Sequence, residues 1–237
     1  MELVLKDMTV AERYKFLTAL VIPRPVALVT TRNEKGLHNA APFSFFNLFS
    51  EDPAIVVLGF SARPDGEHKD TIKNIKKTEQ FVGNMVDHRV IEATHICSSN
   101  VPSDESEIDY AGVTLAPSRF VAVQRIKEAP VNLECRLFQV TNLTERRSLV
   151  LGEVHCVHVL DEIIDPATRR VIPEQYSPIA RLYGDHYAWL GQHYTRAIPS
   201  FDGQIGGCSF VQAAALSMIG SILSSFLPIS RFATSTS

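Results

Sequence analysis

Pro25-Val26-Ala27-Leu28-Val29-Thr30-Thr31 is the stretch that decides the architecture. It is apolar and rich in β-branched residues, and a polar turn ending in glycine, Asn33-Glu34-Lys35-Gly36, follows it. That combination is the signature of a strand running into a turn. The chain resumes at His38-Asn39-Ala40-Ala41-Pro42-Phe43-Ser44-Phe45-Phe46, so a β-hairpin is expected. Pro42 lacks an N–H for a sheet ladder and places part of the second strand at an edge or a bulge.

Working outward, Ala54-Ile55-Val56-Val57-Leu58-Gly59-Phe60 is a continuous apolar run of strand length, expected to be buried on both faces. Asp70 or Thr71 can cap a helix on which Ile72, Ile75 and Lys76 share a face. A strand over Phe81–Val86 and a short helix opening at Val90 come next. Ser98 to Asp109 is a polar, acidic loop, long enough to suggest a functional one. Val131–Val140 and Ser148–Leu160 are further β-rich stretches. Many strands, few helices and short turns argue for a mainly β protein, a β-barrel with helical insertions, and against a doubly wound sheet. Neither G-x-G-x-x-G nor G-x-x-x-x-G-K-[ST] occurs, so a dinucleotide would not be held in the Rossmann manner.

The 237 residues are enough to bury a core without a disulfide or metal staple, and the 45% hydrophobic and 21% charged content excludes a disordered chain. Twenty-three basic residues against 26 acidic ones leave a charge of −3, too balanced for a nucleic-acid binder with a basic surface. Cys97, Cys135, Cys156 and Cys208 are far apart, so neither a zinc site nor a disulfide framework is expected, and a reducing, cytoplasmic setting fits. Glu2, Lys6, Asp7, Glu12 and Arg13 leave no visible secretory signal. Between Asp202 and Arg231 there is no charged residue. Gln212, Gly220, Pro228 and the serines there favour a helix packed on the barrel or a partner over a membrane span or a poorly ordered extension.

Three constellations offer chemistry. In Asn39-Ala40-Ala41-Pro42-Phe43-Ser44, small residues let a flat ring approach the backbone and Asn39 and Ser44 can bond its polar rim; a kinked edge strand would use the same residues. Ser61-Ala62-Arg63 and His68-Lys69-Asp70-Thr71 bracket a helix start whose N–H groups suit a phosphate, or simply form a capped helix with a solvated lysine. Arg181-Leu182-Tyr183-Gly184-Asp185-His186-Tyr187-Ala188-Trp189 could wall a stacked ring or be a core cluster. His155 and His158, three apart on a strand, point to opposite faces and cannot chelate one metal. No G-x-S-x-G elbow or H-E-x-x-H is present, and no catalytic side chain or metal ligand is assigned.

Taken in order, Arg24–Thr31, Asn39–Asn47, Lys69–Ile75, Glu107–Val113, Leu133-Glu134-Cys135, Gly152-Glu153-Val154 and Arg181–Tyr187 resemble the flavin reductase-like family. The resemblance covers roughly residues 5 to 195 and implies a split-barrel flavin-binding domain over 1–197, with 198–237 an unmatched apolar, Ser-rich extension. It implies FMN rather than FAD, since one phosphate-sized site and no second pyrophosphate loop are readable. NADH or NADPH would be the electron donor. Asn39, Ala40, Ala41 and Ser44, with Pro42 and Phe43 between them, would line the isoalloxazine and ribityl chain. Thr30, Ser61, Lys69 and Thr71 would lie along the ribityl-phosphate side, with Arg63 and Asp70 beside them. Family members are usually homodimers, so Tyr187 could reach the flavin from the neighbouring chain. The implied activity is an NAD(P)H:flavin oxidoreductase in which the flavin does the hydride chemistry, with a separate monooxygenase as a candidate recipient of reduced flavin. The alternatives are an FMN-holding electron carrier reduced by a protein, and a non-redox β-barrel interaction module.

Overall fold

The strand read at Val26–Thr31 is buried on both faces because its alternate side chains serve two cores. Ala27 and Val29 join one apolar cluster, the inner core, with Phe43, Phe60, Phe81 and Val150, while Val26 and Leu28 join another, the outer core, with Val86, Val90, Ile126 and Ile179. The computed structural model describes residues 1–99, 101–102, 104–191 and 194–196. The expected tail beyond 197 lies outside the described residues. Among those described, no helix is long and apolar enough to cross a membrane.

Chain order runs α1 (Val10–Leu20), β1 (Arg24–Pro25), β2 (Ala27–Arg32), β3 (His38–Phe43), β4 (Phe46–Glu51) and β5 (Ala54–Ser61). Then come α2 (Asp70–Thr78), β6 (Gln80–Met85), α3 (Ile91–Ile96), α4 (Glu107–Ala111), β7 (Leu115–Ala116) and β8 (Arg125–Ile126). The long strands β9 (Val131–Thr144) and β10 (Arg147–Val159) precede the short β11 (Ile179–Arg181) and β12 (Tyr187–Trp189). The main sheet has seven strands in the order β3-β2-β6-β9-β10-β5-β4, every pair antiparallel. Its two edges, β3 and β4, are consecutive in the chain and joined only by Ser44 and Phe45. The sheet must therefore curl until its edges meet, yet the edges are not paired with one another. That is a split barrel, mainly β as expected, with the split at Ser44–Phe45.

Pro42 stands on the edge strand β3, opposite Leu28, where its missing N–H costs no ladder bond to a second neighbour. Gly36 closes the β2–β3 turn at φ +91°, with its N–H donating to the Asn33 carbonyl. Helix α2 lays Ile72 and Ile75 onto the inner core, and Lys76 is solvent-facing. Three expectations need correction. The N-cap of α2 is Lys69, whose side chain makes no capping bond, because the carboxylate of Asp70 is drawn to Arg63 (2.6 Å) and the hydroxyl of Thr71 to Asn39 (3.0 Å). Strand β5 is not buried on both faces throughout: Val57 and Gly59 are half-buried, since they wall a cavity. The acidic loop ends before Asp109, because Ser106 caps α4 by accepting from the N–H of Ile108 (3.3 Å).

Candidate functional site

A cavity of about 650 Å³ opens beside the split, and His95 and Ser98 at the end of α3 form part of its wall. Pro42, Phe43 and Ser44 come from the end of β3, Tyr14, Lys15 and Thr18 from α1, and Arg181 and Tyr187 from the C-terminal strands. The size falls within the range of small-molecule sites. Parts of two sequence constellations far apart in the chain, 42–44 and 181–187, thus meet at one cavity. The register of the small sheet explains it: Arg24 pairs with Arg181 and Arg181 with Tyr187, so the C-terminal strands are stitched to the residues leading into β2.

The cavity is cationic. Arg24, 9% exposed, donates to the carbonyls of Thr18 (2.5 Å), Val21 (2.9 Å) and Leu182 (2.7 Å), clamping the end of α1 to β11. Its Nε is buried without a hydrogen-bond partner. Burial pulls the Arg24 pKa down, Tyr14 opposes this and the nearby Arg181 adds to it. Arg181 bonds the Tyr187 hydroxyl and the Gly184 carbonyl, reaches Asp185 at 3.1 Å, and lies 4.5 Å from the centre of the Tyr187 ring. Tyr187 is thereby held by both its edge and its face.

Ser44, like Arg24, also lines a second cavity of about 500 Å³, with Phe45, Phe46, Phe60 and Ser61. Asn39 sits away from both, at the centre of a polar network. Its Oδ1 accepts from Thr71 (3.0 Å) and Thr31 (3.2 Å), and its Nδ2 donates to both oxygens of Glu107 (2.8 and 2.7 Å). Glu107 also accepts from the Ala40 N–H (3.2 Å). A small cavity of about 140 Å³ beside this network is lined by Asn39, Asp70, Lys73 and Glu107.

The residues singled out from the sequence therefore divide. Pro42, Phe43, Ser44 and Tyr187 meet in the large cavity, and Ser44 with Ser61 in the second. Asn39, Asp70 and Thr71 form the α2–β3 junction, with Arg63 paired to Asp70 and Lys69 exposed at the helix start. Ala40 is fully buried in the outer core and Ala41 packs against the inner one. Thr30 is buried and donates to the Gln124 carbonyl (2.8 Å), and it lines none of these cavities. The sequence reading missed Lys15, Thr18, Arg24, His95 and Ser98 as cavity residues. Only Arg24 carried a signal, as the first residue of the segment Arg24–Thr31 that resembles the family.

A flat, polar-rimmed ring suits these walls, with the Phe43 and Tyr187 rings and the Ser44 hydroxyl along them. The family model described as "Flavin reductase like domain" matches residues 19–189. An uncharacterized protein of Aquifex aeolicus is 38% identical over 79% of this chain and 94% of its own length. Among solved structures, 2-nitrobenzoate 2-nitroreductase NbaA of Pseudomonas fluorescens is 37% identical, with a TM-score of 0.79 over 87% of this chain and all (100%) of that one. Nitrilotriacetate monooxygenase component B of Bacillus cereus is 32% identical, with a TM-score of 0.78 over 83% of this chain and 98% of that one.

Proposed function

The chain belongs to the flavin reductase-like family, and from that premise we propose that it binds FMN at the split of the barrel and reduces it with NADH or NADPH. The observation that carries the reading is the position of Ser44, at the junction of the two barrel edges and on the wall of both larger cavities. FMN, when bound, would supply the hydride-accepting ring.

In this reading the chain's own residues orient and exclude. Pro42, Phe43 and Ser44 present a flat backbone edge, and the Ser44 hydroxyl bonds the ring's polar rim. Tyr187, fixed by Arg181, covers the cavity and keeps water out. Lys69 and the N–H groups at the start of α2 hold the phosphate, with Ser61 and Arg63 along the same side. Thr71 acts through Asn39, keeping α2 against β3. The flavin domain of this reading is residues 1–197, with 198–237 an extension outside it. The exposed Phe45, Leu48 and Phe49 beside the split would be covered in a homodimer. A monooxygenase is the candidate recipient of the reduced flavin, as the name of the Bacillus cereus relative suggests. The test is chromatography of the cofactor released from the purified chain. Mainly FMN is expected, and mainly FAD overturns the assignment.

A second reading has its own support. The 37% identical relative is named for reducing 2-nitrobenzoate, and here Lys15, Arg24 and Arg181 line the same cavity, a setting that favours a carboxylate. Supplying FMN, NADPH and 2-nitrobenzoate together and following loss of the nitroarene separates the two. Its consumption by the protein-bound flavin favours direct reduction, whereas release of reduced FMN with the nitroarene untouched favours the reductase.

A further inference from the structure

We infer that Glu134, Cys156 and His158 form a binding site for a zinc-class divalent cation, on β9 and β10 and separate from the cavities at the split. The pairing register creates it. Strand β10 slips by one residue between Val154, opposite Cys135, and Cys156, opposite Glu134, leaving His155 as the extra residue of a bulge. A regular ladder would have set His155 opposite Glu134 and Cys156 opposite Leu133. The bulge instead puts Cys156 directly across from Glu134, and His158, two residues on, falls on the same face.

The donor atoms converge. One carboxylate oxygen, the Sγ of Cys156 and a ring nitrogen of His158 all lie within 4.8 Å of one another. His158 turns the same atom, Nε2, to Glu134 in close contact and to Cys156 Sγ at 3.8 Å. A catalytic relay would use the two ring nitrogens for two different neighbours. One nitrogen shared between a thiol and a carboxylate is the arrangement of ligands around a common point. Tetrahedral zinc with bonds of about 2.0–2.3 Å sets its ligand atoms roughly 3.3–3.8 Å apart; the Cys156–His158 separation already matches this, and the partly exposed His158 ring would draw back from Glu134 to admit the ion.

Glu134 is already fixed for the task. It is fully buried, with Oε1 accepting from the Arg119 N–H (2.8 Å) and Oε2 from the Phe120 N–H (2.6 Å), the kind of outer support that orients a ligating carboxylate. Cys156 and His158 are partly exposed, which gives an ion a path from solvent. A thiolate, an imidazole and a carboxylate select a borderline cation such as Zn²⁺ over Mg²⁺ or Ca²⁺. Three protein ligands leave a fourth position for water. The bound ion would tie β9, β10 and the 119–120 loop together.

The test is equilibrium dialysis of the full-length protein against micromolar Zn²⁺ with elemental analysis, repeated on Cys156→Ala, His158→Gln, His155→Gln and Cys208→Ser. Losing an outer-shell partner alone costs roughly ten- to a hundredfold in affinity, so losing a ligand should cost about a hundredfold or more. The wild type, His155→Gln and Cys208→Ser should each retain one zinc per chain, and Cys156→Ala and His158→Gln should lose it with their far-UV circular dichroism and flavin content unchanged. No zinc uptake by the wild type overturns the site and leaves Glu134 and His158 as an ion pair. Undiminished uptake by Cys156→Ala and His158→Gln also overturns it, as does loss confined to His155→Gln or Cys208→Ser. If either ligand variant misfolds, protection of wild-type Cys156 from thiol alkylation by Zn²⁺ decides: protection supports the site and equal alkylation rates overturn it.

Discussion

The ring of Phe81 occupies the space that a side chain at Gly152 would need: a Cβ there would lie 2.2 Å from Cζ and 2.5 Å from Cε1 of Phe81. Phe81 is fully buried in the inner core, and Gly152 sits at a register shift of β10. The clash is with a rigid ring, so relief requires moving core or backbone. Gly152→Ala should destabilise the barrel by about 1–3 kcal/mol, the range for overpacking. Its urea midpoint should fall, and Phe81→Leu in the same chain should recover part of the loss. A midpoint equal to wild type would mean that β10 shifts freely.

His38 gives the barrel a pH dependence. Its Nε2 accepts from the Gln124 N–H (3.1 Å), which only the neutral ring can do. Burial, with Arg32 nearby, holds its pKa below the ordinary 6.5. A histidine lowered on folding contributes stability that is present above its unfolded pKa and lost as pH falls through the folded value. Stability should therefore decline below about pH 6.5. His38→Gln, which keeps an acceptor without a titrating ring, should flatten that part of the urea-midpoint profile. An unchanged profile would assign the decline to other groups.

Asn39 joins α2, β2, β3 and α4 through one side chain. Asn39→Leu would strand Thr71 and Glu107, and an unsatisfied buried polar group costs about 1–3 kcal/mol. The thermal midpoint should drop, and FMN affinity with it, because the helix start loses its anchor. Asn39→Asp should be worse still, since it places a second carboxylate against Glu107.

Lys69 separates a phosphate contact from general damage. A hydrogen bond to a charged group is worth roughly 1.5–3 kcal/mol, so Lys69→Ala should weaken FMN binding by about ten- to a hundredfold. Riboflavin, lacking the phosphate, should bind almost as before. Equal losses for both, or none, would return Lys69 to a solvated helix-start residue.

Much of this was legible in the residues. Strand period, the Gly36 turn and the edge proline at position 42 are local signals, and they placed β2, β3 and the mainly β class. The resemblance supplied the split. What local reading could not supply was register. Whether Asp70 caps its helix depends on Arg63 seven residues earlier, and Thr71 is drawn off by Asn39 across the fold. Thr30 looked available, but Gln124 claims its hydroxyl. On β10, His155 and His158 fall on opposite faces while Cys156 and His158 share one, but only the register shift at the bulge, which no local spacing reveals, sets Glu134 across from Cys156.

The central claim, FMN held at the split and reduced by a nicotinamide, is tested most directly by anaerobic titration. Purified protein loaded with FMN would be followed at the visible flavin band while NADH, then NADPH, is added. Stoichiometric bleaching by one or both nucleotides, faster than for free FMN under the same conditions, is the expected result. A flavin that stays oxidised with both nucleotides, yet bleaches with dithionite, would contradict the reductase and leave a carrier that takes its electrons from a protein.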